Sequence, residues 1–280
     1  MSHATPAAER RAHPRTMSDR WQTAITAIEQ NSILIRGYAL DEMMGRVSFA
    51  DAIYLLLMGE LPTPAIGRML NAVLISTIDH GVTPPSTLAA RNVATSGAPL
   101  KDCVAAGLLA FGPHHGGDIA SCMHFLDSAL TLVHAGESIQ VAAEQAVDEC
   151  LRAGHRPPGF GHRLHTRDPR AARLFQLALE LDLEGEHVRM IRAVERALAA
   201  REPELGVVPV NVDGAIAAIC ADLGFGADLG NALFLISRLP GLIAHAHEER
   251  NRQHPMRQID VSTHDYDGAR ERRVPETRRQ

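Results

Sequence analysis

Residues 159–170 read Gly-Phe-Gly-His-Arg-Leu-His-Thr-Arg-Asp-Pro-Arg, and they are the most informative segment of this chain. A glycine-rich turn presents His162, and Asp168-Pro169-Arg170 is typical of a helix start. Asp caps the first turn and Pro suits the first helical position. Because helix N-termini favour anions, we predict that His162 and Arg170 lie beside one anion-binding helix end.

Two further segments have the same character, and each precedes a predicted helix. They read Gly112-Pro113-His114-His115-Gly116-Gly117 and Pro209-Val210-Asn211-Val212-Asp213-Gly214. A helix-entry turn would also explain His115, and simple N-capping would also explain Asp213. Together with nearby arginines, however, two histidines and an aspartate are suited to acid/base chemistry on a polycarboxylate.

Apolar residues recur at helical spacing along most of the chain, and strand-like alternation is nearly absent. Aromatic residues make up only 4% of the sequence, so small aliphatic side chains must fill the core, which favours close helix packing. We predict helices that include 18–30 and 65–80, a brief extended piece at 32–40, and a disordered tail over 1–16. The sequence therefore predicts a mainly α fold.

Composition excludes several classes of function. The net charge of −5 provides no general attraction for nucleic acid or anionic membranes. We find no signal peptide and no run of 18 apolar residues, so we expect no membrane span. The four cysteines form no Cys-x-x-Cys pair, which indicates reduced thiols in a cytoplasmic protein.

Three more residues are candidates for a site. His80 stands at a predicted helix end, where favourable interaction with the helix dipole could explain it without a ligand. Arg238 lies in an apolar helical stretch and needs a partner, either a bound carboxylate or an internal acid. The pairs His114-His115 and His245-x-His247 suggest a metal, but side chains so spaced do not face one ion, so we predict no metal site.

These motifs, in this order, resemble the citrate synthase superfamily over about residues 30–260. The matching residues are Arg36-Gly37-Tyr38, Asp79-His80-Gly81, the His115 loop, Gly159 to Arg170, Asn211-Val212-Asp213, Arg238 with His245, and Arg257. The short length, the Asn-Val-Asp-Gly run and the His-Pro-Met-Arg ending look most like citryl-CoA lyases and the C-terminal module of ATP-citrate lyase. Asp118 stands in the His115 loop where many synthases continue with Ala-Asn.

The resemblance implies a citrate synthase-like two-domain helical fold. The large domain would comprise 17–116 and 227–280, and the small domain would comprise 117–226. The resemblance also implies a homodimer whose partners are acetyl-CoA or citryl-CoA and oxaloacetate or citrate, acting in tricarboxylic acid metabolism. Coenzyme A would enter as a thioester substrate, and no cofactor would be permanently bound.

The resemblance further assigns roles to individual residues. Asp213 would remove the methyl proton of acetyl-CoA, His115 would donate to the thioester oxygen, and His162 would polarise the ketone of oxaloacetate. The residues that would hold carboxylates are His80, Arg170, Arg238 and Arg257, the last from a partner subunit. The segment that would bind coenzyme A is Pro158, Gly159, Phe160 and Gly161.

Several alternatives stay open at the level of sequence. The same side chains serve synthesis and cleavage, so they do not fix the direction or show whether citryl-CoA is hydrolysed. A 2-methylcitrate synthase, or an enzyme for another acyl-CoA and 2-oxoacid pair, is a further possibility. From other classes, a non-catalytic protein that binds coenzyme A or carboxylates and a metal-dependent hydrolase are the competing interpretations.

Overall fold

The computed structural model describes residues 21–112, 115–116, 118–161, 168–201, 208–258 and 260–271. Among these residues there are three short strands and eleven α-helices: β1 Thr26–Glu29, β2 Ser32–Ile35, β3 Tyr38–Ala39, α1 Leu40–Met43, α2 Phe49–Met58, α3 Pro64–Ser76, α4 Pro85–Ala94, α5 Leu100–Leu109, α6 Asp118–His134, α7 Ile139–Arg152, α8 Pro169–Glu180, α9 Glu186–Arg201, α10 Val212–Asp222 and α11 Ala227–Arg252. A 3-10 turn follows at Val261–Thr263. The predicted mainly α architecture is confirmed. The predicted tail at 1–16 and His162 lie outside the described residues.

The first compact unit ends at Thr63 and contains a three-stranded antiparallel meander in the order β1-β2-β3. The helix predicted over 18–30 is wrong throughout its described part, because residues 21–25 are irregular and Thr26–Glu29 is a strand paired with Ser32–Ile35. Asn31 closes this hairpin in the left-handed conformation, with φ 61°. Asn tolerates that conformation, and cross-strand pairing overrides the weak helical pattern of the preceding residues.

The next turn of the meander explains the Arg36-Gly37 pair. Both residues have positive φ, 49° and 89°, as a two-residue hairpin turn matching the twist of its strands requires. The Arg36 guanidinium donates to the Leu56 carbonyl at 2.8 Å. This contact joins the meander to α2, a helix that is capped by the Ser48 side chain and followed by Gly59 in the left-handed conformation.

The second compact unit comprises residues 64–280, and its centre is α10. Most of α10 is buried, and it packs against α6, α8, α9 and α11. The long helix α11 in turn packs against α3, α4, α5 and α6. The predicted domain boundaries at 116 and 226 fall inside this unit and remain a prediction.

Helix α3 is shorter than predicted. It ends at Ser76, so His80 lies on the following loop and not at a helix terminus. The backbone leaves the helix because its polar groups are bound by α11. The Thr77 hydroxyl donates to the Ser237 hydroxyl at 2.8 Å, and the Thr77 carbonyl accepts from Arg238 Nε at 2.9 Å.

Candidate active site

Arg238 lies at the centre of the charged residues in the second unit. It is buried, with 2% of its surface exposed, and its guanidinium stacks 4.9 Å from the centroid of the Phe234 ring. Its Nε donates to Thr77, whereas its buried Nη1 has no hydrogen-bond partner in the described part of the chain. Burial lowers the pKa of Arg238, and the charges of Asp79 and Asp213 oppose that shift. An unpartnered buried donor on a cation is suited to receive a carboxylate.

His115 is held by the N-terminus of α4. The Ser86 amide donates to His115 Nε2 at 3.4 Å, the Ser86 hydroxyl lies 2.8 Å from the same nitrogen, and Phe111 stacks on the ring at 4.8 Å. Burial lowers the pKa of His115, and the positive charges of Arg238 and His80 lower it further. A neutral ring that accepts at Nε2 carries its proton on Nδ1, an assignment made from these bonds. His115 can therefore donate one hydrogen bond.

Asp213 is the second residue of α10, whose N-cap Asn211 accepts from the Gly214 amide at 3.0 Å through its side chain. Burial raises its pKa to about 6, and the nearby carboxylate of Asp118 acts in the same direction. The positive charges of Arg170 and Arg238 act against this shift. A carboxyl group with a pKa near neutrality can both take up and return a proton at physiological pH.

Asp168 joins α8 to the start of α10. Its Oδ1 accepts from the Arg170 amide at 2.9 Å, and its two oxygens bind the Arg170 guanidinium at 3.0 and 2.8 Å. Oδ2 also accepts from the Val212 amide at 3.1 Å, next to Asp213. The sequence predicted Asp168 only as a cap. Its bidentate hold on Arg170 explains why a cation occurs at a helix start, where the dipole disfavours it.

The segment 158–161 runs beside the N-terminus of α10. Gly159 and Gly161 have positive φ, 86° and 82°, and Phe160 forms a bridge with Val210. The Gly161 amide donates to the Pro209 carbonyl at 2.9 Å, and the Asn211 side chain donates to the Gly161 carbonyl at 3.0 Å. This places the half-buried Pro158 and its neighbours within the backbone network around Asp213.

The loop that carries His80 is fixed from α11. Asp79 accepts from the Gly81 amide and is bonded to His245 Nε2, both at 3.0 Å. Burial raises the pKa of Asp79, but these hydrogen bonds and the His245 charge outweigh it, and the net pKa lies below its ordinary value. The sequence motif identifies His245, but no local pattern indicates its pairing with Asp79.

Arg257 lies apart from these residues. Its Nε is 3.0 Å from Oε1 of the buried Glu249, and its amide donates to the Thr95 hydroxyl at 2.8 Å. The same Glu249 also binds Arg91 at 2.7 Å. The contacts of Arg257 are therefore with its own chain, and its action in a partner's site remains a proposal.

The described residues contain no group of three His, Cys, Asp or Glu side chains arranged to hold a metal ion. His245 binds Asp79, whereas the exposed His247 contacts Asn251, so these two rings have different partners. His114 lies outside the described residues.

Comparison with protein families gives one match over most of the chain. Residues 62–258 match the model of the citrate synthase C-terminal domain. The chain is 30% identical to the citrate synthase of Haloferax volcanii over 206 residues, which are 71% of this chain but only 51% of that protein. It thus spans about half the length of this curated relative.

Two solved structures are similar over most of the chain. The citryl-CoA lyase of Hydrogenobacter thermophilus is 41% identical, with a TM-score of 0.83, and the match covers 91% of this chain and 97% of that one. The citrate synthase of Thermoplasma acidophilum, in complex with carboxymethyl coenzyme A and oxaloacetate, is 25% identical, with a TM-score of 0.65. That match covers 82% of this chain and 60% of that one. The predicted citrate synthase-like fold is confirmed.

Proposed function

Because this chain belongs to the citrate synthase family, we propose that it makes or breaks the carbon–carbon bond between the acetyl-CoA and oxaloacetate parts of citryl-CoA. The observation that carries the proposal is the clustering of charge around Arg238. It couples electrostatically to Asp213 and Arg170 and also lowers the pKa of His115, which His80 lowers as well. Electrostatic interactions therefore link five predicted site residues from separate segments: His80, His115, Arg170, Asp213 and Arg238.

In the direction of synthesis, the Asp213 carboxylate takes a proton from the acetyl-CoA methyl group while His115 donates to the thioester oxygen. The resulting enol attacks the ketone of oxaloacetate, which His162 polarises and protonates. His80, Arg170 and Arg238 hold the substrate carboxylates. Cleavage follows the same path in reverse, so that protonated Asp213 returns its proton to the methylene carbon released as acetyl-CoA.

We favour cleavage of citryl-CoA as the physiological reaction. The support is similarity: the chain is 41% identical to the Hydrogenobacter lyase in a match that covers 91% of this chain, but 30% identical to the Haloferax synthase over 71% of this chain. Coenzyme A enters as part of the substrate, and the proposed steps need no permanently bound cofactor. The 158–161 segment, whose two glycines have positive φ and lie beside the start of α10, is the proposed coenzyme A contact.

The test is to add citryl-CoA and identify the products. Acetyl-CoA and oxaloacetate would establish a lyase, whereas citrate and free coenzyme A would establish a synthase with its hydrolytic step. An Asp213→Asn variant that binds coenzyme A but turns nothing over is the matched control. If the wild type is equally inert while binding the ligand, the proposal is wrong and the protein is a binding module.

We also propose that the chain forms a homodimer through α5 and α11. Leu235, Leu239 and Ile243 follow each other at four-residue intervals along α11 and are 37%, 36% and 39% exposed. Leu109 at the end of α5 is 86% exposed. Helices α5 and α11 pack together, and exposed apolar side chains on neighbouring helices are typical of a protein interface. Light scattering should give a dimer for the wild type and a monomer for Leu239→Glu; a wild-type monomer at micromolar concentration would refute the proposal.

Helix α11 is long enough to cross a membrane, with a mean hydropathy of 1.2 over 18 residues. This is weak evidence for a span, because core helices have the same composition. Four free, buried cysteines support our proposal of a cytoplasmic location. Cell fractionation tests this location. Recovery of the protein in the membrane pellet would contradict it.

A further inference from the structure

Asp118 is the first residue of α6, and its charge acts on Asp213. Its Oδ2 accepts from the Gly159 amide at 3.3 Å, which ties the helix to the proposed coenzyme A segment. An acid in the first turn also suits the helix dipole, so capping alone is the simpler interpretation. The surroundings of Gly159 argue for more than a cap.

Gly159 is wedged between two helices. A Cβ added there would lie 2.7 Å from the Gly214 Cα on α10 and 2.7 Å from the Cys122 Sγ on α6. The Gly159 carbonyl accepts from the Asn211 amide at 3.0 Å, while its amide is held by Asp118. The backbone amide and carbonyl of this one residue are therefore bound by α6 and by the N-cap of α10, next to Asp213.

The two carboxylates that act on Asp213 differ in whether a cation neutralises them. From the elements packed around α10, the charged groups that act on Asp213 are Asp118 of α6, Asp168 and Arg170 at the start of α8, and Arg238 of α11. Burial raises the pKa of the Cys122 thiol, and the negative charges of Asp118 and Asp213 raise it further. Asp168 is neutralised by its bidentate bond to Arg170, whereas the Asp118 hydrogen bond is to a neutral amide.

We infer that Asp118 is a positioning residue of the proposed reaction: its carboxylate fixes Gly159 in the coenzyme A segment and keeps a second negative charge beside Asp213. This inference rests on the proposed function, since it needs Asp213 as the group that exchanges protons with the methyl carbon. The second charge disfavours ionisation of Asp213, so that the acid form is available for protonating the departing carbon.

The experiment is a pH profile of proton exchange. Acetyl-CoA is incubated in deuterated buffer with malate, a dicarboxylate that fills the oxoacid site but offers no ketone, and loss of methyl protons is followed by NMR. Exchange needs ionised Asp213, so the rate should rise with pH through a pKa of about 6. In Asp118→Asn, which removes the charge but keeps an acceptor, this rise should move about one pH unit lower.

Two variants separate the hydrogen bond from the Gly159 amide to Asp118, which we call the clamp, from the charge of Asp118. Asp118→Ala removes the acceptor as well and should weaken coenzyme A binding about tenfold in calorimetry. Asp127→Asn, a carboxylate on the same helix that pairs with His187, should change neither the profile nor the binding. A profile that keeps its midpoint in Asp118→Asn, with only a lower melting temperature, would overturn the charge role and leave a helix cap.

The failure of the proposed function would look different. If the wild type exchanges no methyl protons and cleaves no citryl-CoA, the proposed reaction is wrong and with it the effect of Asp118 on Asp213. The clamp on Gly159 would still be tested by the calorimetric comparison of Asp118→Ala with Asp127→Asn. Equal coenzyme A affinity in these two variants and the wild type would overturn the clamp.

Discussion

Replacing Asp213 by Asn should abolish exchange and turnover but stabilise the folded protein. The reason is electrostatic: Asp213 is held where burial and the Asp118 charge disfavour its ionised form. Asn has nearly the same shape and no charge. The substitution therefore removes a cost that the folded state bears whenever Asp213 is ionised.

The magnitude follows from the pKa. A rise from the ordinary value of 3.8 to about 6 corresponds to about 3 kcal/mol, at about 1.4 kcal/mol per pH unit. The side chain is partly exposed, so this is an upper value. Because the folded state binds the proton more tightly than the unfolded state, stability is lost as pH rises from 3.8 to about 6. The cost is fully present above that range and absent below it.

The assay is urea unfolding followed by circular dichroism at about pH 8 and about pH 4. The Asn variant should unfold at a higher urea concentration than the wild type at about pH 8, and the two should converge at about pH 4. Asp265→Asn, at an exposed position, is the matched control and should change neither curve. A variant that is less stable than the wild type at about pH 8, or a difference independent of pH, would refute the reasoning.

Three further substitutions test other parts of the second unit. His187→Gln should destabilise the protein more at about pH 5.5 than at about pH 8 in urea unfolding. Burial lowers the pKa of His187, but its bonds to two aspartates outweigh burial and raise the pKa overall. The charged form of His187 therefore stabilises the fold below pH 6.5, and this stabilisation is lost as pH rises. Arg91→Met should cost about 3 kcal/mol in thermal unfolding, because the fully buried Glu249 loses a partner, and a loss below about 1 kcal/mol would contradict a tight buried pair. Gly159→Ala should abolish coenzyme A binding in calorimetry, since the added Cβ would lie 2.7 Å from a backbone atom. Gly161 has a similar positive φ, but a Cβ added there would have its nearest contact at 3.7 Å. The Gly161→Ala variant should therefore bind coenzyme A more tightly than Gly159→Ala.

The contacts of Arg257 bear on how the site is completed. In this chain Arg257 and Arg91 share the buried carboxylate of Glu249, so the segment after α11 is fixed to α4 and not to the residues around Arg238. A role for Arg257 in substrate binding therefore requires a second subunit. Substitutions in the proposed dimer face on α5 and α11 and substitutions of Arg257 consequently test the same homodimer.

Local sequence signals were sufficient wherever a structure depends on a few neighbouring residues. Asp168-Pro169-Arg170 starts α8, Ser48 caps α2, and Gly59 ends it, because caps and left-handed turns are encoded within three or four positions. Where a longer-range contact competes with the local pattern, the prediction was wrong. Thr26–Glu29 became a strand by pairing with Ser32–Ile35, and α3 ended at Ser76 because α11 binds the next residue.

The helical fold, the order of the motifs and, through them, the residues of the proposed site could be predicted from the sequence. How those residues act on one another depends on tertiary packing. The bond from Ser86 to His115, the hold of Asp168 on the start of α10 and the proximity of Asp118 to Asp213 all join positions far apart in the chain. Burial and electrostatic coupling depend on which helices pack together, and no local pattern of residues encodes that.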